Sequence, residues 1–235
     1  MKNHLKRMAA PKAWMLNRKE NKYTIRPKAG AHPLNQGLSL GAILRDELKL
    51  ASTLAETRKL LVNNEVLIDG KRRKEYRFIV GLFDVLKIPA QKIAYRFGID
   101  EKGRPNLYPI SAAESEMKIC KVTGKTALNQ NRIQLNLHDG KNIISAEKVK
   151  VGDSVVISLP SLEIKEVLPL KQEAVVFLTQ GKHMGDIGIF KEFKGEEAVY
   201  TKAQEEVNTS KKYLFVVGKD KKPVMEINIK RALKN

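Results

Sequence analysis

The sequence contains little cysteine and no long apolar run. Its 235 residues include one cysteine, Cys120, which excludes an internal disulfide framework and a cysteine-based zinc site. No stretch reaches the roughly 18 apolar residues of a membrane-spanning helix, and residues 1–14 lack the apolar segment of a secretory signal peptide. These absences predict a cytoplasmic location and no membrane partner.

Catalytic and metal-binding patterns are also missing. No histidine has an i, i+4 partner of the kind that binds zinc; the four are His4, His32, His138 and His183. The segment VTGKT, residues 122–126, ends like a phosphate-binding P-loop, but that motif needs a glycine where this chain has Ile119. A strand that continues through a turn is the better interpretation, with Cys120 as a buried, inert thiol. The sequence therefore predicts no enzymatic activity, catalytic residue, metal, cofactor or small-molecule substrate.

Acidic residues are scarce relative to basic ones. The chain has 44 Lys and Arg against 26 Asp and Glu, a net charge of +18. Residues 1–105 carry 23 of the basic and 10 of the acidic side chains, so most of the excess lies in the first half. Such an excess destabilises a compact state by self-repulsion unless an anionic partner neutralises it. A polyanion that binds mainly the first half is therefore expected.

Residues 1–38 contain nine Lys and Arg and a single acid, Glu20. Prolines interrupt the segment, and no helical or strand periodicity is sustained, so it has too little apolar surface to fold alone. It is predicted to be a basic arm that becomes ordered on a partner. Trp14 has two interpretations, stacking on a base or packing against the neighbouring domain, and packing is favoured.

The next segment predicts two helices and a hairpin. Ser39 can cap a helix whose residues 40, 43, 44, 48 and 51 share one apolar face. Thr53 and Glu56 have capping-box spacing for a second helix, and Asn63-Asn64 can supply a left-handed residue at its end. The sequence 65–68 alternates as a strand, and Asp69-Gly70 is a strong signal for a tight hairpin turn.

This order brings separate cations towards a shared surface. Arg45 and Lys49 lie on the polar face of the first predicted helix, Arg58 and Lys59 on that of the second, and Lys71–Lys74 follow the turn. A single charge run is usually a solvated face, but three basic elements together suit a phosphate backbone.

Residues after about 105 are rich in predicted strands. Alternating segments at 118–122, 132–137, 141–144 and 154–158 are separated by turn residues, which favours a small antiparallel barrel or sandwich. Further on, two strands, 174–179 and 189–193, flank a glycine-rich loop at 181–188 that contains Lys182. Its glycines permit a tight left-handed turn. A structural hairpin and an RNA-contacting loop are both compatible with this pattern.

Residues 43–88 resemble the S4-type RNA-binding module of bacterial ribosomal protein S4, pseudouridine synthases and tyrosyl-tRNA synthetases. The matching segments are LRD at 44–46, TRKLL at 57–61, VLIDG at 66–70 and DVL at 84–86. The glycine-rich region resembles the KOW motif of SH3-like barrels. Four further segments match the N-terminal part of the archaeal and eukaryotic ribosomal S4e family: HLKR at 4–7, AAPK at 9–12, WML at 14–16 and HPL at 32–34. With these segments and the two modules in this order, the chain resembles that family.

The resemblance implies a structural constituent of the small ribosomal subunit, located in the cytoplasm within the ribosome. Its partners would be small-subunit ribosomal RNA and neighbouring ribosomal proteins. A KOW-type transcription elongation factor and an RNA-modifying enzyme with the same module are the alternatives. The candidate RNA-binding residues are Lys2, Lys6, Arg7, Lys12, Trp14, Arg18, Arg45, Lys49, Arg58, Lys59, Lys71, Arg72, Arg73, Lys74 and Lys182.

The predicted fold class is α+β, multi-domain and mostly β. Four parts are expected in order along the chain. They are the basic arm (1–38), the S4-type RNA-binding module (39–92), a central antiparallel β domain (93–170) and a KOW domain with an SH3-like barrel (171–235).

Overall fold

The chain divides into two compact units. The computed structural model describes residues 3–129, 132–145, 147–202 and 205–225. The first unit contains residues up to 98 together with 104–116, and the second contains 99–103 and the residues from 117 onward. Antiparallel strands are the main regular structure among the described residues, with few helices, so the mostly β class is confirmed. Among the described residues, no helix is both long and apolar enough to cross a membrane.

Among the described residues, nine short strands belong to the first unit, which also contains the longest helix. The strands are β1 Leu5–Lys6, β2 Tyr23–Thr24, β3 Gly37–Ser39, β4 Leu67–Ile68, β5 Lys71–Arg72, β6 Ile79–Gly81, β7 Val85–Ile88, β8 Ile93–Ile99 and β9 Pro105–Pro109. The helices are α1 Leu40–Ala42, a π-helix at Ile43–Glu47 and α2 Leu54–Asn63, with 3₁₀ turns at Arg7–Ala9, Leu34–Gln36, Pro89–Gln91 and Glu114–Glu116.

The first helical segment begins at the predicted cap. The Ser39 hydroxyl accepts a hydrogen bond from the Ala42 amide, and Ile43 and Leu44 are buried on the expected face. The segment ends earlier than its apolar periodicity predicts. Its last turns are π-helical, with the Leu48 amide donating to the Ile43 carbonyl at 2.9 Å, and Lys49 has a left-handed φ of 54°.

Helix α2 has the predicted capping box. The Thr53 hydroxyl accepts from the Glu56 amide at 3.2 Å, and the Glu56 carboxylate accepts from the Thr53 amide at 3.3 Å. Hydrogen bonds to this carboxylate from the Ser52 amide, at 2.8 Å, and from the Thr53 amide lower the pKa of Glu56. The predicted left-handed end is wrong, because Asn64 is extended, with a φ of −104°, and its amide bonds to the Leu60 carbonyl. Because Asn64 is extended, the chain passes directly from the end of α2 into strand β4.

The hairpin turn forms as predicted. Asp69 and Gly70 have φ values of 51° and 74°, and a two-residue hairpin turn requires such positive φ values. Strand β4 pairs with β5, Leu67 opposite Arg72 and Ile68 opposite Lys71. The Asp69 carboxylate also accepts a hydrogen bond from the Val85 amide at 3.0 Å, which fixes the turn against strand β7.

The module does not end at the predicted boundary between residues 92 and 93. Strand β8 pairs with β7 from Val85 opposite Arg96 to Ile88 opposite Ile93, and the sheet has the order β5-β4-β7-β8-β9. The apolar residues of β8, including Phe97, complete the core beneath the hairpin, so β8 continues the first unit.

The described part of the arm is folded onto the module. Strands β1 and β2 pair with each other, and β3 pairs with β6. Ala10 and Trp14 lie in the same apolar cluster as Leu44 and Leu61 of the helical segments. The few apolar side chains of the arm thus fill a core that the module supplies.

The described residues of the second unit form eleven strands in two antiparallel sheets. They are β10 Met117–Ala127, β11 Ile133–Leu137, β12 Asn142–Ser145, β13 Ser154–Ser158, β14 Ile164–Leu168, β15 Val175–Leu178, β16 Ile187–Lys194, β17 Glu197–Lys202, β18 Glu205–Ser210, β19 Leu214–Lys219 and β20 Lys222–Pro223, with a 3₁₀ turn at Lys211–Tyr213. The sheet orders are β12-β11-β10-β13-β14 and β18-β17-β16-β15-β19-β20.

Several predictions for this unit are confirmed. The segment that resembles a P-loop lies within the continuous strand β10, and Cys120 is buried there. In the glycine-rich loop, Gly181 and Gly185 have φ values of 93° and 92°. A Cβ atom at position 185 would lie 2.0 Å from the Asp100 carbonyl oxygen, so this close approach requires glycine.

Candidate nucleic-acid interface

Helix α2 and the hairpin bring their cations together in the first unit. Arg72, on strand β5, donates a hydrogen bond from Nη2 to the Val62 carbonyl near the end of α2, at 3.0 Å. Arg58 lies one turn earlier, at the i, i+4 spacing that places two residues on one helix face. Lys59 of α2, Lys71 of β5 and Lys74, two residues after β5, are exposed. We call the six residues Arg58, Lys59, Lys71, Arg72, Arg73 and Lys74 the basic hairpin surface.

Two guanidinium groups of this surface stack on aromatic rings. The Arg58 guanidinium carbon lies 4.6 Å from the centroid of Tyr76, and its Nη2 donates to the Tyr76 hydroxyl at 3.0 Å. The Arg73 guanidinium carbon lies 4.3 Å from the centroid of Phe78. Both distances are within the range of a cation–π interaction. The two rings therefore restrict side chains that would otherwise move freely in solvent.

Arg45 and Lys49 line a different feature, a cleft of about 490 Å³ beside the arm. The Arg45 guanidinium pairs with both oxygens of Asp46, at 2.7 and 2.9 Å, and this hydrogen bonding raises the pKa of Arg45. Glu20 also lines the cleft. The charges here are mixed, so the cleft is a weaker candidate for phosphate binding than the basic hairpin surface.

The arginines of the arm bind the arm itself. Arg7 is 5% exposed and donates to the Tyr23 and Asn17 carbonyls and to Glu20. Arg18 donates to the carbonyls of four residues: Arg7, Met8, Ala10 and Pro11. These guanidinium groups thus satisfy backbone acceptors that a short, proline-rich segment cannot pair in regular structure.

The other predicted residues of the arm and loop are placed as follows. Trp14 is 2% exposed within the core, which agrees with packing and not with base stacking. Lys6, Lys12 and Lys182 are exposed, and Lys2 lies outside the described residues.

Comparison with known proteins shows the relationship of this chain. Residues 91–164 match the model described as ribosomal family S4e, and residues 1–35 match that of the RS4NT (NUC023) domain. The small ribosomal subunit protein eS4 of Methanocella arvoryzae is 41% identical over 231 residues, which cover 96% of this chain and 98% of the relative. The eS4 protein of Methanothermobacter thermautotrophicus is 40% identical, with 93% of each chain covered. The chain belongs to the ribosomal S4e family.

A solved S4e structure supports the same assignment. The crystal structure of the 30S ribosomal protein S4e from Thermoplasma acidophilum matches with a TM-score of 0.69 and 31% identity. The match covers 80% of this S4e chain and 98% of the other chain. The resemblance expected from the sequence is thereby confirmed.

One cluster in the second unit of this S4e chain has ligand types that metals use. Atoms of Cys120, His138 and Asp139 lie within 4.8 Å of one another. The Lys118 ammonium group, however, is 2.7 Å from an Asp139 oxygen, and that of Lys141 is 3.2 Å from the same atom. Burial would raise the pKa of Asp139, but the two ammonium groups outweigh it and hold that pKa far below its ordinary value. The lysines already neutralise the carboxylate, which disfavours a metal ion.

Sequence reasoning missed the aromatic residues that the basic hairpin surface uses. Tyr76 and Phe78 follow the run Lys71–Lys74 at alternate positions. An aromatic residue close to a basic run is a detectable signal for cation–π stacking. Its partners come from different elements, however, so the sequence alone does not show which arginine meets which ring.

Proposed function

We propose that this chain is a structural constituent of the small ribosomal subunit and binds small-subunit ribosomal RNA through the basic hairpin surface. The observation that carries the proposal is the meeting of α2 and the hairpin, where Arg72 contacts the helix that bears Arg58. Relatives named small ribosomal subunit protein eS4 align with this chain over nearly their whole length at about 40% identity. Neither an elongation factor nor an RNA-modifying enzyme has comparable support.

Binding would be driven mainly by charge neutralisation. Lysine and arginine side chains that contact phosphates release the condensed counterions of the RNA, so affinity falls as salt rises. Structured RNA is recognised largely by its shape and backbone, which suits a surface that presents six cations. Contact energy would then be distributed over many residues, and each substitution would have a moderate effect.

The remaining parts of the chain have supporting roles in this proposal. The C-terminal sheet β18-β17-β16-β15-β19-β20 would be an SH3-like domain that carries the KOW motif, as the antiparallel order and the glycine-rich loop suggest. The exposed residues Lys6, Lys12, Lys49 and Lys182 would add RNA contacts outside the basic hairpin surface. Neighbouring ribosomal proteins would contact other faces, and the protein would act in the cytoplasm, without enzymatic activity.

Substitution of Arg58 tests this proposal. In titrations of the full chain against structured small-subunit RNA at several salt concentrations, Arg58→Ala should reduce the slope of log affinity against log salt by roughly 0.7–0.9. Lys191→Ala in the second unit also removes one exposed cation and serves as the control. Its slope should match that of the wild type. Identical slopes for wild type and Arg58→Ala would refute the proposed surface.

A further inference from the structure

Tyr76 is anchored by contacts other than the one with Arg58. Its backbone carbonyl accepts a hydrogen bond from the Gly41 amide at 2.8 Å, and its half-buried side chain packs against the apolar core of the first unit. The next residue, Arg77, donates from Nε to the Arg26 carbonyl at 3.0 Å. The segment that presents the Tyr76 ring is therefore held at both its backbone and its side chain.

This anchored ring fixes the Arg58 guanidinium in two ways. The cation–π contact holds the guanidinium carbon over the ring, and the hydrogen bond to the hydroxyl restricts rotation of the group. An unrestrained arginine loses side-chain entropy when it binds a phosphate. A guanidinium group that is already held in place loses less of this entropy. The bond to Tyr76 uses one of five N–H donors, so the others can bind the oxygens of a phosphodiester.

Phe78 repeats the arrangement two residues later. The guanidinium of Arg73, from the hairpin, stacks on this ring, while that of Arg58 comes from helix α2. One short segment thus orders two guanidinium groups from two elements. Lysines also contact aromatic rings, as Lys22 does with Tyr23 at 5.5 Å. An ammonium group, however, lacks the planar set of N–H donors that a guanidinium group presents.

We propose that Tyr76 is a positioning residue for RNA binding, which holds the Arg58 guanidinium ready to bind a phosphodiester of the folded RNA. This inference rests on the proposed function and adds a specific requirement to it. The site needs a guanidinium stacked on an aromatic ring and not merely a positive charge. Lysine at position 58 should therefore be a poor replacement, and a leucine at position 76 should impair binding although it removes no charge.

The test uses full-length variants and structured small-subunit RNA at about 0.1 M salt. Tyr76→Leu should weaken binding about five- to tenfold, because it removes both the ring and the hydroxyl. Tyr76→Phe keeps the ring and should lose about two- to threefold. Arg58→Lys should resemble Arg58→Ala more than the wild type. In the Arg58→Ala background, Tyr76→Leu should cause no further loss.

A matched control comes from the second unit, where the Lys211 ammonium group lies 4.6 Å from the centroid of Phe193. Phe193→Leu removes a ring–cation pair outside the basic hairpin surface and should leave RNA affinity unchanged. Thermal unfolding of each variant shows whether the fold is retained. If Tyr76→Leu proves unstable, Tyr76→Phe, which preserves the packing, decides the question.

The outcomes separate this inference from the proposed function. If Arg58→Ala weakens binding but both Tyr76 variants bind like the wild type, the positioning role is wrong and the RNA-binding surface stands. If Tyr76→Leu weakens binding equally with and without Arg58, Tyr76 acts independently and the inference is again overturned. If Arg58→Ala itself binds like the wild type, the proposed RNA-binding surface is wrong, and the positioning role of Tyr76 is wrong with it.

Discussion

Asp139→Asn should lower the free energy of unfolding of the second unit by about 3–5 kcal/mol. The Asp139 carboxylate and the Lys118 ammonium group are both buried, with 1% and 0% of their side chains exposed, and lie 2.7 Å apart. The amide cannot neutralise Lys118, so the substitution removes the carboxylate charge that lies 2.7 Å from this buried ammonium group. Hydrogen exchange of the β10 and β13 amides would measure the loss, because these strands pair directly around Lys118.

The exposed pair Lys191–Glu206 provides the control, since Glu206→Gln removes a solvent-screened ion pair and should change the stability far less than Asp139→Asn. Acid titration gives a second readout. The lowered pKa of Asp139 contributes stability that is fully present above the ordinary value of 3.8 and is lost as pH falls towards the folded-state pKa. Asp139→Asn should remove this part of the acid dependence. Equal stability of the variant and the wild type would contradict the role assigned to the buried pair.

Neutralising the hairpin should have the largest effect on RNA binding. With Lys71, Arg72, Arg73 and Lys74 all changed to glutamine, the salt slope should fall by roughly 3, and the affinity at 0.1 M salt should fall on the order of 10²–10³-fold. The Asp69-Gly70 turn is unchanged, so the hairpin should still form. Binding titrations at several salt concentrations would measure both quantities.

The matched control removes four exposed lysines from the second unit: Lys165, Lys171, Lys191 and Lys194, each changed to glutamine. Both variants reduce the net charge of +18 by the same amount. A much smaller loss in the control would show that the position of the charge matters. If the two variants lost the same slope and affinity, general attraction would explain binding without the basic hairpin surface.

Local rules predicted the parts of the fold that depend on neighbouring residues. The capping box at Thr53 and the turn at Asp69-Gly70 each need only a few adjacent residues, and both form as expected. Strands β10 to β13 follow from alternation and turn residues in the same way. The end of α2 was wrong because Asn64 is compatible with both left-handed and extended backbone, and the pairing of β4 selects the extended form.

Long-range contacts account for what the sequence could not predict. Their positive charge made Arg7 and Arg18 candidates for RNA binding. In the structure, however, their guanidinium groups donate hydrogen bonds to backbone carbonyls of the arm. Strand β8 completes the first unit because its apolar residues meet a core formed by segments far away in the sequence. The stacking of Arg58 on Tyr76 likewise joins residues 18 positions apart. Composition therefore predicted a basic surface, but not which of its cations are available to a partner.

Cross-linking within the ribosome tests the central claim most directly. Small subunits that contain the full chain would be irradiated, digested and searched by mass spectrometry for peptides attached to ribosomal RNA. The account predicts RNA-linked peptides from α2 and the hairpin, residues 54–78, and their loss after the subunits are stripped of the protein in high salt. Subunits in which residues 54–78 never cross-link, while other segments of the chain do, would contradict it.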